Sequence, residues 1–111
     1  MEPKLKTQII VQSIIRQCDV RMIPAIVLHK GDVDSGALIM KINLMDKTCF
    51  LIRKSTMPSG KSAWIKPLSD NPIPEDRVDE YIEREINRDR DLWVIEIEDA
   101  KSQYEPVEPI I

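Results

Sequence analysis

The segment Asp89-Arg-Asp-Leu-Trp-Val-Ile-Glu-Ile-Glu-Asp99 carries the densest strand signal of the chain. Four of its middle six residues are β-branched or aromatic, which is typical of a β-strand. Because strand side chains alternate between two faces, Trp93 and Ile95 share one face, and Leu92 and Val94 share the other. Both faces are therefore apolar at the start of this strand. We predict a strand inside a sheet that is covered on both sides.

Two other segments have the apolar periodicity of helices. The first runs from about Lys4 to Val20, and the second runs from about Pro74 to Arg88. Proline is favoured in the first turn of a helix, where its missing N–H has no helical partner. Acidic residues follow Pro74 directly and complement the positive end of the helix dipole.

Leu5 and Ile9 lie outside the apolar stripe of the first predicted helix and form an i,i+4 pair on its polar side. The apolar C-terminal residues Val107, Ile110 and Ile111 are candidates to cover this pair within the same chain. The alternative is a contact with a second copy or another protein. The candidate protein-contact residues are Leu5, Ile9, Val107 and Ile110.

Four strands are predicted between the two helices, at residues 25–29, 37–44, 48–53 and 62–66. Short loops join the first three, which favours an antiparallel meander. With the final strand, the element order is α-β-β-β-β-α-β. The predicted fold class is α+β, with a mostly antiparallel four- to five-stranded sheet and two helices packed on one face. Residues 1–111 form a single domain, and residues 100–111 form an extended tail that is open to partial disorder.

Composition indicates a soluble globular protein. The chain has 111 residues, of which 42% are apolar and 32% are charged. No apolar run reaches the roughly 20 residues of a membrane-spanning helix, and the N-terminal residues do not resemble a signal peptide. Two cysteines, Cys18 and Cys49, are too few for a disulfide framework and are expected to be buried thiols. These observations favour the cytoplasm.

Charge is distributed unevenly along the chain. Residues 36–67 carry six Lys or Arg against one Asp or Glu, whereas residues 68–111 carry five against fourteen. A basic sheet face beside an aromatic ring could bind single-stranded nucleic acid by phosphate neutralisation and base stacking. The alternatives are a solvated sheet face and an ionic contact with the acidic region of a second copy. The candidate nucleic-acid contacts are Lys41, Arg53, Lys54, Lys61, Trp64 and Lys66.

Motifs for catalysis or metal binding are weak. His29 is the only histidine and has no recognised ligand spacing to the cysteines or carboxylates. Asp32 and Asp34 fail the EF-hand template, so they are interpreted as turn residues. The Gly60-Lys-Ser62 stretch lacks the earlier glycine and the following helix of a phosphate-binding loop. The sequence therefore favours a protein without catalytic residues, cofactor or metal, and an enzyme of unknown class is the least favoured alternative.

Three stretches in this order resemble a family of short alphaproteobacterial proteins of about this length, catalogued as a domain of unknown function. They are Ile15-Arg-Gln-Cys-Asp19 leading to Ile23-Pro-Ala25, then Lys30-Gly-Asp-Val-Asp-Ser-Gly36, and finally residues 88–99. Arg90 stands where the family pattern has a proline. The resemblance covers nearly the whole chain and implies a bacterial cytoplasmic protein that folds alone, but it implies no activity or site residues.

The function predicted from these observations is binding. The first hypothesis is a protein-interaction module that contacts another protein or a second copy through Leu5, Ile9 and the apolar tail. The second hypothesis is single-stranded nucleic-acid binding through the basic residues. Membrane association is not expected.

Overall fold

The computed structural model describes residues 5–111. Two helices, α1 (Thr7–Val20) and α2 (Glu75–Arg88), pack against one six-stranded sheet. The strands are β1 (Ala25–His29), β2 (Leu38–Asn43), β3 (Thr48–Thr56), β4 (Ser62–Ile65), β5 (Ile73–Pro74) and β6 (Trp93–Glu98). The α+β class is confirmed, and the predicted element order differs only by the two-residue strand β5. Pro3 and Lys4, which were predicted to begin the first helix, lie outside the described residues. Leu5 and Lys6 precede α1, so the predicted helical pair of Leu5 and Ile9 is wrong.

The strand order in the sheet is β1-β6-β2-β3-β4, with β5 also paired to β3. The predicted meander of the first three strands is therefore wrong, because β6 lies between β1 and β2. It pairs antiparallel with β1 and parallel with β2, so the sheet is mixed. The physical reason is the apolar character of β6 on both faces. A central position lets both helices cover β6, and β1 is left at the edge.

The two helices pack on opposite faces of the sheet, so the prediction that they share one face is wrong. Val11, Ile14 and Cys18 of α1 pack against Met40 and Ile95 in one core cluster. The face of the sheet that contacts this cluster is called the α1 face.

The second core cluster lies on the other side of the same strands. Val78 and Ile82 of α2 pack against Ile39, Leu51 and Val94, whose side chains alternate with those of the first cluster. This side of the sheet is called the α2 face. Because β2 and β6 are apolar on both faces, each face needs its own helix to exclude water.

The loop between β1 and β2 ties the start of α1 to the start of β6. The Asp32 N–H donates to the Asp91 carbonyl at 3.0 Å, and the Trp93 indole N–H donates to the Asp32 carbonyl at 2.6 Å. The Thr7 hydroxyl donates to the Gly36 carbonyl at 2.8 Å. Two of the stretches that resemble the short alphaproteobacterial proteins thus meet at this junction.

The C-terminal tail returns to the sheet and lies beside β4. The Trp64 N–H donates to the Pro109 carbonyl, and the Ile111 N–H donates to the Trp64 carbonyl, both at 2.8 Å. Asp99 holds the turn that starts the tail, because its carboxylate accepts from the N–H groups of Gln103 and Tyr104 at 2.8 and 2.9 Å. The tail therefore covers the backbone of one sheet edge.

Candidate interaction surface

A buried lysine lies at the polar end of the α2 face. Lys41 of β2 has 3% of its surface exposed. Its ammonium is 2.7 Å from both Glu75 and Asp79 on the first turns of α2, and 3.4 Å from Glu96 on β6. Asn43 donates to Glu75 and Glu96 at 3.1 and 3.2 Å. The cluster links two neighbouring strands to the start of α2.

The electrostatics of this cluster keep Lys41 protonated. Burial by itself would lower the pKa of Lys41, but hydrogen bonds to Asp79 and Glu75 and the charge of Glu96 outweigh burial. The pKa of Lys41 is therefore well above its ordinary value. A lysine that acts as a nucleophile or base needs a lowered pKa, so this arrangement suits a structural tie between β2 and α2.

The two thiols are also held in their protonated forms. Cys18 and Cys49 are buried and free. Burial raises the pKa of Cys49 to about 11, against the smaller opposing effect of the Lys41 charge. Burial likewise raises the pKa of Cys18. Because the thiolate is the reactive form, neither cysteine is activated as a nucleophile.

The predicted basic surface is divided between the two faces of the sheet. Lys41 and Arg53 lie on the α2 face, where Arg53 donates to Glu85 of α2 at 2.9 Å. Lys54 and Trp64 are cross-strand partners on the α1 face, and the Lys54 ammonium lies 5.5 Å from the centre of the Trp64 ring. These residues therefore do not share one surface.

Burial also removes the stacking platform that the nucleic-acid hypothesis requires. Trp64 has 0% of its surface exposed, and its indole N–H donates to Glu108 at 3.3 Å. Lys54 pairs with the same carboxylate at 3.1 Å. Lys66 lies 5.2 Å from the centre of the Phe50 ring, and Lys61 is exposed near the turn between β3 and β4. The tail therefore covers the aromatic ring and neutralises the nearest cation.

The predicted protein-contact residues are exposed, and the tail does not cover the helix pair. The exposed fractions are 66% for Leu5, 48% for Ile9, 79% for Val107 and 42% for Ile110. Leu5 lines a cleft of about 570 Å³ with Glu108, whereas Ile110 lines a separate one of about 160 Å³ with Tyr104. Leu5 and Ile110 thus border two separate clefts, and Ile9 and Val107 line neither of them.

Exposed apolar side chains also lie along β1 and just before it, on both faces of the sheet, where sequence analysis predicted no site. Five large apolar side chains between residues 20 and 28 are exposed. Their exposed fractions are 80% for Val20, 90% for Met22, 56% for Ile26, 39% for Val27 and 43% for Leu28. No other strand of the described chain pairs with the outer side of β1. The sequence signal for this site was the absence of charged side chains from β1. That absence is unusual only for an edge strand, and the sequence did not show that β1 lies at an edge.

Residues considered for metal binding or catalysis have structural roles in this fold. His29 shares a hydrogen bond of 2.6 Å between its Nδ1 atom and the Leu92 carbonyl. Asp32 accepts from the N–H groups of Asp34 and Ser35, as the turn interpretation predicts. The bonds from Ser35 lower the pKa of the Asp32 carboxyl. Among residues 5–111, no group of three or more His, Cys, Asp or Glu side chains is placed to hold a metal ion.

Neither helix of the described chain is long and apolar enough to span a membrane. The protein is a small α+β protein built around a single mixed sheet, with one helix on each face. The tail covers one edge of the sheet, and the other edge, β1, is apolar and open among the described residues. A family model described as a protein of unknown function, DUF1491, matches residues 5–105. The chain belongs to the DUF1491 family.

Solved structures of family members have the same fold. A crystal structure of a DUF1491 family protein from Caulobacter crescentus is 32% identical, with a TM-score of 0.87 over 97% of this chain and 100% of that one. An NMR structure of a DUF1491 family protein from the same organism, also 32% identical, has a TM-score of 0.82 over 99% of each chain.

A solution structure of a protein from A. tumefaciens is 25% identical, with a TM-score of 0.72 over 86% of each chain. The relatives are bacterial and alphaproteobacterial, which confirms the resemblance observed in the sequence. No curated protein matches the chain.

Proposed function

We propose that this chain is a protein-interaction module that acts through the β1 edge of its sheet. This proposal rests on the exposed apolar side chains between Val20 and Leu28, beside a strand whose outer side pairs with no other strand among residues 5–111. Single exposed apolar residues are common on soluble proteins, but a group of five next to an open strand is typical of a binding surface. Strand addition supplies main-chain hydrogen bonds and buries alternate side chains.

The state of the reactive groups supports a role that requires no chemistry. Carboxylates tie the ammonium of Lys41 in place, and burial raises the pKa of both Cys18 and Cys49. His29 is tied to the Leu92 carbonyl by one ring nitrogen. The side chains that most often carry catalysis therefore serve the packing of the sheet.

A second contact surface is proposed at the start of α1. Leu5 and Ile9 remain exposed, and Leu5 borders the larger cleft together with Lys54 and Glu108. Val107 is exposed in the adjoining tail sequence. Of the two surfaces, β1 is the primary one in this proposal, because it combines apolar side chains with unpaired backbone groups.

We also propose a cytoplasmic location. Two free buried cysteines support this assignment, since a reducing compartment preserves thiols without a pairing requirement.

The proposal is tested by replacing Ile26 with a photo-crosslinking amino acid in the cells that naturally produce the protein. The matched position is Glu83, which is exposed on α2, away from β1. We expect covalent adducts from position 26, reduced when Val27 is also replaced by Pro, and no comparable adducts from position 83. Absence of adducts at position 26, or equal labelling at both positions, would contradict an interaction through β1.

A further inference from the structure

The outer side of β1 has a defined hydrogen-bonding pattern. The Glu98 N–H donates to the Pro24 carbonyl at 2.9 Å, and Ala25 is paired with Ile97. In an antiparallel ladder, residues alternate between pointing their backbone groups at the partner and away from it. It follows that Ala25 and Val27 direct their N–H and C=O groups away from β6. These four groups face the open edge.

A bulge limits how far a regular pairing can extend. The register with β6 shifts between Val27 and His29, so Leu28 is the extra residue of β1. Bulges bend a strand and increase its local twist. Regular pairing on the outer side is thus restricted to the segment that ends at Val27.

We propose that the occupant of this edge is β1 of a second copy of the same chain, paired antiparallel about a two-fold axis at Ile26. The inference rests on the proposed function and specifies its partner. In this register, Ala25 of each copy faces Val27 of the other, and the outward N–H and C=O groups form four reciprocal hydrogen bonds. Ile26 faces Ile26 of the second copy, and neither Leu28 bulge interrupts the pairing.

Charge at the edge is compatible with this like-to-like pairing. Residues 22–28 contain no charged side chain, so no like charges face each other across the axis. Edge strands that avoid association commonly carry lysine or inward-facing charges, and β1 has neither. The axis brings exposed Ile26 side chains together on the α2 face, and places Val27 of each copy beside Ala25 of the other on the α1 face.

The opposite edge of the sheet explains why the assembly stops at two copies. The backbone of Trp64 in β4 is already paired with Pro109 and Ile111 of the tail. Once the two β1 strands are joined, each outer edge of the combined sheet is a tail-covered β4. A two-fold interface of this type uses the same surface on both copies and is closed.

The size of the surface indicates a weak interface. A contact made by the β1 edge and the exposed parts of Ile26, Val27 and Leu28 would bury less than about 1,200 Å² in total, which is typical of weak and transient interfaces. Interfaces of this size are commonly weak and reversible. We therefore expect a weak dimer that dissociates on dilution.

The first experiment measures the mass of the purified full chain by sedimentation equilibrium from about 5 to 500 µM, at low and high salt. We expect the mass to rise from monomer to dimer, with little salt dependence because the contact is uncharged. Val27→Pro removes an outward N–H without removing a bond to β6, and should weaken dimerisation at least about tenfold. Val27→Thr keeps the N–H and should retain the dimer.

A matched variant separates the two apolar surfaces. Leu5→Asp combined with Ile9→Asp alters the second surface and should leave the dimer intact. A monomer at all concentrations would overturn the inference. A dimer that survives Val27→Pro, or that is lost with the Leu5 and Ile9 changes, would overturn it too. Circular dichroism and thermal unfolding of each variant establish that it is folded before its mass is interpreted.

Cysteine substitution tests the register. Facing residues in a pair that is not hydrogen-bonded have Cα atoms about 4.5 Å apart, within the range that a disulfide spans. Ile26→Cys should therefore form a disulfide-linked dimer under mild oxidation. Leu28→Cys is comparably exposed but lies in the bulge beyond the paired segment, away from Leu28 of the second copy, and should react at least about tenfold more slowly. Equal rates for the two variants would overturn the two-fold axis at Ile26.

The inference and the proposed function fail differently. A monomeric purified protein that still gives adducts with another protein from position 26 would overturn self-pairing and leave the interaction module standing. A monomer without adducts from position 26 would overturn both.

Discussion

The contact between the β1–β2 loop and the start of β6 predicts a large and specific cost for Gly31→Ala. A Cβ atom at Gly31 would lie 2.0 Å from the Asp91 carbonyl oxygen and 2.7 Å from the Leu92 carbonyl carbon. Both atoms are backbone, so no side-chain rotation can relieve the clash. Favourable contacts need about 3.5 Å, so loop and strand must separate by about 1 Å or more.

The size of the effect follows from the contacts that this separation breaks. The Asp32–Asp91 and Trp93–Asp32 hydrogen bonds, at 3.0 and 2.6 Å, would be lost, each with a net contribution of about 0.5–1.5 kcal/mol. Forcing extra volume into a packed site adds about 1–3 kcal/mol. Together these contributions predict that Gly31→Ala lowers the free energy of unfolding by about 2–6 kcal/mol.

Gly60 offers a matched control with a different cost. It has a φ of +88°, but nothing lies within 4 Å of the position of an added Cβ. Gly60→Ala should therefore cost only about 1–2 kcal/mol, from the left-handed backbone alone. Both variants are measured by urea unfolding with fluorescence of the buried Trp64 and Trp93. A Gly31→Ala variant within 1 kcal/mol of the parent, or a costlier Gly60→Ala, would refute this account of the junction.

Three further predictions concern the charged contacts. Lys41→Met keeps the buried stem but leaves Glu75, Asp79 and Glu96 without their shared cation. In chemical unfolding it should lower the free energy of unfolding by about 2–3 kcal/mol. This is less than the roughly 3–5 kcal/mol for breaking a fully buried ion pair, because two of the carboxylates are partly exposed. Because the pKa of Lys41 is raised, its contribution to stability is complete below its unfolded pKa and is lost as pH rises through its folded pKa. The difference in free energy of unfolding between parent and variant should therefore stay constant from pH 6 to about 10 and shrink at higher pH. A difference that shrinks between pH 6 and about 10 would contradict the assignment. Asp99→Asn weakens the turn that starts the tail, because a neutral amide oxygen accepts less strongly from the N–H groups of Gln103 and Tyr104. It should lower the free energy of unfolding by about 1–2 kcal/mol and speed up the amide hydrogen exchange of these two residues. Unchanged exchange would contradict this role of Asp99. Burial would raise the pKa of Glu108, but the hydrogen bonds from Lys54, the backbone and Trp64, together with the Lys54 charge, outweigh burial, so the net pKa is lowered. The stability from this contact is therefore complete above the unfolded pKa of Glu108 and is lost as pH falls through its folded pKa. NMR of the Trp64 indole should show that signal shifting at acidic pH in the parent and already shifted at neutral pH in Glu108→Gln, whereas an identical pH profile in both would contradict the contact.

Local sequence predicted the elements well, because each of their signals is local. The periodicity of α1 and α2, and the strands at β1, β2, β3 and β6, followed from residue type and spacing. The prediction that β6 lies inside the sheet also followed from its own residues, since both faces are apolar at its start. Sequence analysis further predicted Ile9 outside the apolar stripe of α1, which its exposure confirms, but it placed Leu5 on the helix, whereas Leu5 precedes α1.

The arrangement of these elements depended on contacts between distant residues. Lys41 and Arg53 looked available for a ligand because their carboxylate partners, Glu75 and Glu85, are 34 and 32 residues away in the chain. Trp64 looked like a stacking surface because nothing local indicates that residues 108–111 return to cover it. Sequence distance therefore concealed the neutralisation of the basic residues.

The sequence by itself determined the fold class and its elements. These are an α+β protein with two amphipathic helices, a strand that is apolar on both faces, and turns built from glycine and aspartate. These properties are set by side-chain periodicity and backbone preference, which act over a few residues. The tertiary structure alone decided which strand became an edge. Insertion of β6 beside β2 placed β1 at the open edge, and the tail covered the other edge. An edge is defined by which strands are neighbours, and the free energy of packing the whole sheet selects those neighbours.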